Sequence, residues 1–389
     1  MRLGINARRL EGQRLGVGRY IEYLLKHWQG MVGSDDRVEL FVRSPLAKGD
    51  DALTGPFQTH HLRPRLTGLL WENLILSRAA KGLDVLFGPS YTLPLNHRGP
   101  CVVATHSVNE LRPGAHPWWY RFTYEGIYRQ SALKADMVIV PTQATKDDVA
   151  RHYGIPEEQI AIIPQGADET FQPLDDPALV LATRRKHTGD ERPYVLFVGK
   201  LSQRRNIPLI MEAFARLKKQ TGCPHRLLLF GPNHQGLPLD RLADELGIAD
   251  SFTQTDGRVK DHSELAAVYG AADLYVFASL YEGFSMTTVE AMACGLPVVA
   301  ADCPALREVT GGAGILVETA DAPSMADAMA TVLADDDLRR DMSRRSVVRA
   351  TAYRWDDVAR RTLDVLRRVA DGQGDREVNA AAPAVGTVT

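Results

Sequence analysis

Two glutamates with seven residues between them, Glu282 and Glu290, bracket the turn Gly283-Phe284-Ser285 and the run Met286-Thr287-Thr288-Val289. The pattern puts Glu282 ahead of a helix and Glu290 about one turn inside it, so the two carboxylates do not share a helical face. The backbone N–H groups of Phe284, Ser285, Met286 and Thr287 are then the unpaired donors of a helix start, suited to a bound anion. A carboxylate just outside the turn could hold sugar hydroxyls, and one on the helix could accept bonds from a ribose diol. A capping glutamate followed by an exposed helical one fits the same spacing.

A second segment, Gly199-Lys200-Leu201-Ser202-Gln203-Arg204-Arg205-Asn206, follows an apolar run. Asn206 reads as a helix N-cap and Pro208 as a first-turn residue. Three cations and a helix N-terminus would meet just past the C-terminal edge of a sheet, where open α/β sheets bind ligands. A diphosphate is the natural occupant there; a solvated basic loop capping a structural helix is the plainer alternative. Arg14-Leu15-Gly16-Val17-Gly18-Arg19-Tyr20 fails as a dinucleotide fingerprint because Ile21 stands at the third glycine position. Gly16 still permits close approach of backbone to a ligand, or serves only a tight turn. His106 ends the run Cys101–Thr105, at the ligand-binding edge of a first sheet or as a structural histidine. The cluster Trp118-Trp119-Tyr120 reads as core or helix packing, with a sugar platform as the other use. His60-His61 reads as surface.

The elements that must position these groups are short apolar runs alternating with amphipathic stretches: 38–42, 84–87, 102–104, 137–140, 195–198, 227–230, 274–277 and 298–300. Strands apolar on both faces belong to parallel sheets covered by helices, so the fold class is α/β, doubly wound. At 389 residues the chain exceeds one ordinary core. The pattern restarts after the proline-rich stretch 171–177 and the charged stretch 183–192, which reads as the linker. The expected domains are 1–175 and 190–352, followed by a helix over 353–370 and a disordered tail over 371–389. A net charge of −2 argues against a nucleic-acid partner. The four cysteines form no CxxC pair and read as buried thiols of a reducing compartment. Metal-ligand spacing is absent, and no Asp-x-Asp motif sits at a strand end. With no signal-peptide core and no membrane-length apolar run, the expected location is the cytoplasm, with peripheral membrane contact left open.

At these residues the chain resembles the family-4 retaining glycosyltransferases of the GT-B fold, the group 1 glycosyltransferases. Residues 3–8 with Gly16–Tyr20 are similar to the family's start, and 135–141 and 162–168 to its mid-chain landmarks. Residues 197–206 and Glu282–Pro297 are similar to its donor site. The resemblance implies two facing Rossmann-like domains with the active site in the cleft, and a C-terminal helix crossing back to the first. The donor nucleotide sugar belongs to the second domain and the acceptor, a glycan or lipid-linked intermediate, to the first. Lys200 and Arg205 match the diphosphate-binding cations, in reversed order of type. Glu282 matches the glutamate near the donor sugar, Glu290 the ribose-binding one, and His106 a histidine near the reacting centre, here followed by Ser107 instead of the usual aspartate. Gly199 belongs to the same donor loop. Residues 257–261 resemble the base-binding strand end, so Val259 and Asp261 would meet the base, favouring a GDP-sugar over a UDP-sugar. The implied reaction transfers a hexose, with mannose suggested, with retained configuration and without a cofactor or metal, in bacterial polysaccharide or glycolipid synthesis. A sugar-nucleotide epimerase shares the two-domain plan, but a cationic loop with paired glutamates fits transfer better. The incomplete glycine fingerprint disfavours a nicotinamide-dependent oxidoreductase. A non-catalytic sugar-nucleotide-binding protein is the alternative of another class. Oligomeric state has no signal in the sequence.

Overall fold

The computed structural model describes residues 1–12, 16–47, 51–111, 118–318 and 321–373. Its contacts divide the chain into two units: Met1–Gln165 with the segment from Arg354, and Gly166–Tyr353.

In the first unit seven strands form one sheet: β1 (Arg2–Asn6), β2 (Arg37–Val42), β3 (Gln58–His61), β4 (Val85–Gly88), β5 (Cys101–Ala104), β6 (Met137–Val140) and β7 (Ile160–Ile162). Their order is β3-β2-β1-β4-β5-β6-β7, and every neighbouring pair is parallel. The second unit repeats the plan with β8 (Tyr194–Val198), β9 (Arg226–Phe230), β10 (Phe252–Thr255), β11 (Leu274–Phe277), β12 (Val298–Ala301) and β13 (Ile315–Val317). Their order is β10-β9-β8-β11-β12-β13, again parallel throughout. Strands β4, β5, β6, β8, β9, β11 and β12 are buried along their whole length, as apolar runs without polar alternation require. The α/β reading of two Rossmann-like units therefore holds. In each sheet the strand order reverses once, between β1 and β4 and between β8 and β11. At such a switch point the loops leaving the strand ends diverge and leave a crevice.

The chain passes between units earlier than the sequence suggests. The charged stretch from Thr183 is not linker but the end of the helix Pro177–Thr188 in the second unit. Asp176 caps that helix, its Oδ1 accepting from the N–H of Ala178 at 2.9 Å, and left-handed Gly189 ends it. Its charges have local partners: Arg184 donates to Ala271 O at 2.9 Å and pairs with Asp273 at 3.0 Å.

The helix Trp355–Ala370 completes the first unit's core. Trp355, Val358, Leu363, Val365, Leu366 and Val369 are all buried. The helix packs on Val17–Trp28 and on β4, β5 and β6; Trp28 Nε1–H donates to Ala359 O at 2.8 Å and Tyr23 stacks on Trp355 at 4.7 Å. Arg361 ties the same helix to β7 through Ile162 O at 2.7 Å. Among the described residues, no helix is long and apolar enough to cross a membrane.

All five tryptophans (28, 71, 118, 119 and 355) belong to the first unit, so tryptophan fluorescence reports on that unit. Leu366→Ala, at a fully buried position, is expected to destabilise it by about 2–5 kcal/mol through lost contact and a residual cavity. The fall in the urea midpoint of tryptophan fluorescence measures this.

Candidate active site

The second unit's switch point collects most of the residues singled out by type and spacing. The loop after β8 begins at Gly199 (φ +138°), runs through Lys200 into a 3₁₀ turn at Gln203–Arg205, and enters the helix Ile207–Thr221. Pro208 sits in that helix's first turn, but Asn206 is not a side-chain cap. It adopts the left-handed conformation (φ 51°, ψ 47°) and makes no capping bond, because the chain must reverse between the 3₁₀ turn and the helix. Gly199 N–H donates to Phe230 O at 2.9 Å, and Gly231 N–H to Thr255 O at 3.1 Å. Main chain thus lies directly on main chain: a Cβ on Gly231 would come within 1.9 Å of Gly199 O.

Glu282 follows β11 and is where the cations meet. Its Oε1 accepts from Arg204 Nη1 at 2.7 Å and from the Ser279 hydroxyl at 2.8 Å, with Arg205 Nε 3.7 Å away. Arg204 also donates to Tyr281 O. The Arg205 guanidinium lies 5.8 Å over the Phe277 ring and donates to Lys200 O at 3.2 Å. Burial alone would raise the Glu282 carboxyl, but Arg204, Arg205 and Ser279 outweigh it and hold it below the usual carboxylate value. Burial lowers Arg205 in turn, opposed by Glu282. Lys200 is exposed, and its ammonium makes no ion pair among the described residues.

The helix Met286–Ala293 begins immediately beyond. Ser285 is left-handed (φ 89°), and the N–H groups of Phe284–Thr287 have no main-chain acceptor among the described residues. The side chains of Phe284, Ser285 and Met286 are buried, Phe284 edge-on to Tyr353 at 5.4 Å. This segment therefore offers backbone, not side chains. Thr287 accepts from the Tyr275 hydroxyl at 2.9 Å. Glu290 corrects the reading of an exposed helical glutamate: it has no exposed surface, and its Oε2 accepts from the Tyr269 hydroxyl at 2.9 Å. Asp261 is the N-cap of the helix His262–Gly270, with Oδ1 accepting from Glu264 N–H at 3.0 Å, and Val259 is half-buried against the core.

The first unit's switch point also encloses a carboxylate. Glu72, fully buried, pairs with Arg8 at 3.0 Å through Oε1, which also accepts from Asn6 Nδ2 at 2.8 Å and Thr92 Oγ1 at 2.9 Å. His106 lies nearby on the same edge. Its Nε2 is 2.8 Å from Pro89 O, which can only accept, so Nε2 carries the proton and Nδ1 accepts from Gln165 Nε2 at 2.9 Å. Tyr20 and Tyr91 meet the ring edge-on. Burial lowers His106 to about 4, so the ring is neutral at pH 7. Gly16 is exposed with φ +47° at the start of the helix Val17–Trp28. Residues 13–15 of its loop, residues 112–117 and the tail from 374 lie outside the described residues, as do the side chains of Trp118-Trp119-Tyr120. Among the described residues, no three His, Cys, Asp or Glu side chains group as metal ligands.

Two family models cover most of the chain between them. One, described as Glycosyltransferase Family 4, matches residues 15–171; the other, Glycosyl transferases group 1, matches residues 182–347. The chain belongs to the family-4, group 1 glycosyltransferases. The O-antigen chain mannosyltransferase B of Escherichia coli is 26% identical over 73% of this glycosyltransferase and 74% of that relative. A D-inositol 3-phosphate glycosyltransferase of Corynebacterium urealyticum is 33% identical over 61% of this chain, and the match spans only 58% of its own length. Among solved structures, sucrose-phosphate synthase from Thermosynechococcus elongatus aligns with a TM-score of 0.76 at 21% identity, over 95% of this chain and 99% of that one. The Anabaena protein HepE, solved with UDP and glucose, aligns with a TM-score of 0.76 at 18% identity, over 94% and 99%. At these identities the likeness is one of fold, the GT-B class.

The glycosyltransferase thus gathers Lys200, Arg205, Glu282 and the 284–287 backbone at one crevice, while His106 and Gly16 belong to the other unit. Sequence reasoning counted Arg204 among the loop's cations but did not assign it to the site. Ser279, Gly231, Tyr269 and the Arg8–Glu72 pair were missed altogether. Gly231 had a visible signal, since Phe230-Gly231 after β9 repeats Val198-Gly199 after β8.

His106 also makes a pH prediction. Its folded value, about 4, lies below the ordinary histidine value of about 6.5. Between these limits the unfolded chain binds the extra proton, so stability falls as pH drops from about 6.5 to 4 and is unaffected above. His106→Gln should flatten that acid limb in fluorescence-monitored urea titrations at pH 7 and pH 5.

Proposed function

We propose that this glycosyltransferase moves a hexose from a nucleoside-diphosphate donor to an acceptor hydroxyl with retained anomeric configuration. The observation that carries this reading is the convergence of Arg204 and Arg205 on Glu282, beside Lys200 and an uncapped helix start, in the crevice between β8 and β11. A departing diphosphate gains negative charge. Lys200, with no carboxylate partner among the described residues, Arg205 and the Phe284–Thr287 N–H groups supply fixed positive potential there, at no reorganisation cost during reaction.

Glu282 is held ionised, so it is not a proton donor. Its Oε1 already meets Arg204 and Ser279, which weakens it as a nucleophile. Oε2, without a partner among the described residues, is offered to donor-sugar hydroxyls. These constraints favour substitution on one face through an oxocarbenium-like state. The bond from the anomeric carbon to the diphosphate breaks, the bond to the acceptor oxygen forms on the same face, and the acceptor proton passes to the diphosphate. Glu290 takes the ribose diol in exchange for the Tyr269 hydroxyl. Asp261 caps its helix through Oδ1, which leaves Oδ2 to accept from a guanine edge, with Val259 beside the base, favouring a GDP-sugar. His106, with both ring nitrogens engaged, shapes the acceptor side without moving a proton, and Gly16 lets backbone approach the ligand. Mannose is the first sugar to test, given the E. coli mannosyltransferase relative. The setting is bacterial polysaccharide or glycolipid synthesis, with a glycan or lipid-linked acceptor at the inner face of the membrane.

A thermal-shift panel of GDP, UDP and their sugars comes first, since ligand binding to the folded state raises the midpoint. GDP-mannose is expected to give the largest shift and, with a lipid-linked acceptor, a product of retained configuration by NMR. Stabilisation without product from any donor would instead identify a binding protein. Lys200→Ala is expected to lower kcat/KM about 10²–10³-fold in a folded protein; near-normal turnover contradicts the assignment. Turnover should persist in EDTA, because fixed cations neutralise the leaving group.

A further inference from the structure

Cys223 differs from the other three thiols. Cys101, Cys294 and Cys303 are buried, and burial pushes Cys101 and Cys303 up to about 11 and Cys294 higher still. Cys223 is half-buried, in the turn between the helix Ile207–Thr221 and β9. Two residues on, His225 is only 9% exposed, and its Nε2 lies 3.1 Å from Asp273 Oδ2. The other Asp273 oxygen takes Arg184 at 3.0 Å, which fixes the carboxylate. With Nε2 committed to Asp273, Nδ1 is the ring's remaining nitrogen. It is buried with no partner in hydrogen-bonding geometry, and the nearby thiol that interacts with the ring is that of Cys223. Lys218, in the last turn of the preceding helix, donates to Cys223 O at 3.1 Å and His225 O at 3.5 Å, adding positive charge.

We propose that Cys223, His225 and Asp273 form an activated thiol, a covalent modification site for small disulfides and soft electrophiles. The site stands at the N-terminal ends of β9 and β11, at the opposite sheet edge from Lys200 and Glu282, and depends on no part of the transfer reading. The partly exposed, electropositive setting is the one in which cysteines react. Burial alone would raise the Cys223 thiol, but the adjacent His225 ring and Thr221 hold it below its ordinary value. Burial alone would lower His225, but Asp273 and Cys223 hold it above.

The step balances as thiol–disulfide exchange. The Cys223 proton passes to His225 Nδ1, giving an imidazolium paired with Asp273. The thiolate attacks one sulfur of a small disulfide, the S–S bond breaks, and the Cys223 mixed disulfide forms. The second thiolate leaves and takes the proton from His225. Cys223 is oxidised, and half of the small disulfide is reduced. The charged groups around the site are Lys218 on the preceding helix, Arg184 on the helix Pro177–Thr188, Asp273 before β11, and Arg339 on the helix Asp336–Ala350.

The test is labelling of the folded full-length protein with 4,4′-dithiodipyridine, with the modified peptide located by mass spectrometry. Cys223 is expected to react at least about tenfold faster than the other three cysteines, with a pH midpoint below the ordinary thiol value of about 8.5. His225→Asn, shown to be folded by circular dichroism, is expected to slow labelling at pH 7 about tenfold and move the midpoint up to the ordinary value. A wild-type midpoint at or above about 8.5, or one unchanged in His225→Asn, overturns the proposal.

Discussion

Parallel pairing is the constraint from which the rest of this molecule follows. Every strand in both sheets runs beside a parallel neighbour, so each must be followed by a crossover long enough to return the chain to the starting edge. All strand C-termini of a unit then share one edge, and the single reversal of strand order opens a crevice there. Residues far apart in the chain meet at that edge for topological reasons: the loop after β8 carries Lys200, Arg204 and Arg205, and the loop after β11 carries Ser279 and Glu282. The close stacking of Gly199 on Gly231 follows from the same convergence, since side chains there would hold adjacent loops apart.

Each switch point encloses a carboxylate clasped by arginine and neutral donors: Glu72 by Arg8, Asn6 and Thr92, and Glu282 by Arg204, Arg205 and Ser279. A carboxylate taken out of water is tolerable only when its charge is met, and both are met through Oε1, Glu72 Oε2 being buried without a partner among the described residues. Once met, it fixes the guanidinium groups in turn, so the charge arrangement is set before any ligand arrives. The two clusters differ in access. Glu72 is sealed, a strut at the end of β1, whereas the Glu282 cluster adjoins the exposed Lys200 and an uncapped helix start.

The strands were legible because runs apolar on both faces leave a chain few options but a covered parallel sheet. The crevice was legible in outline because Glu282, Glu290 and the cations after β8 sit at recognisable distances from those runs. Asn206 was misread because its type suits an N-cap, while its backbone is dictated by the 3₁₀ turn before it. Glu290 was left open because helical periodicity does not say whether a tyrosine from another helix, here Tyr269, covers it.

By itself, the sequence determined which segments become strands and helices, that the sheets are parallel, and which loops carry charge to the ligand-binding edge. These depend on local period and apolarity, which neighbouring residues set together. Only the tertiary structure decided partnership: that Arg204 closes on Glu282 across 78 positions, and that Cys223 alone among the thiols lies beside a histidine held by a carboxylate. Such pairings depend on which loops the crossovers bring together and on burial making each charge demand a partner, and neither is written in the spacing of residues along the chain.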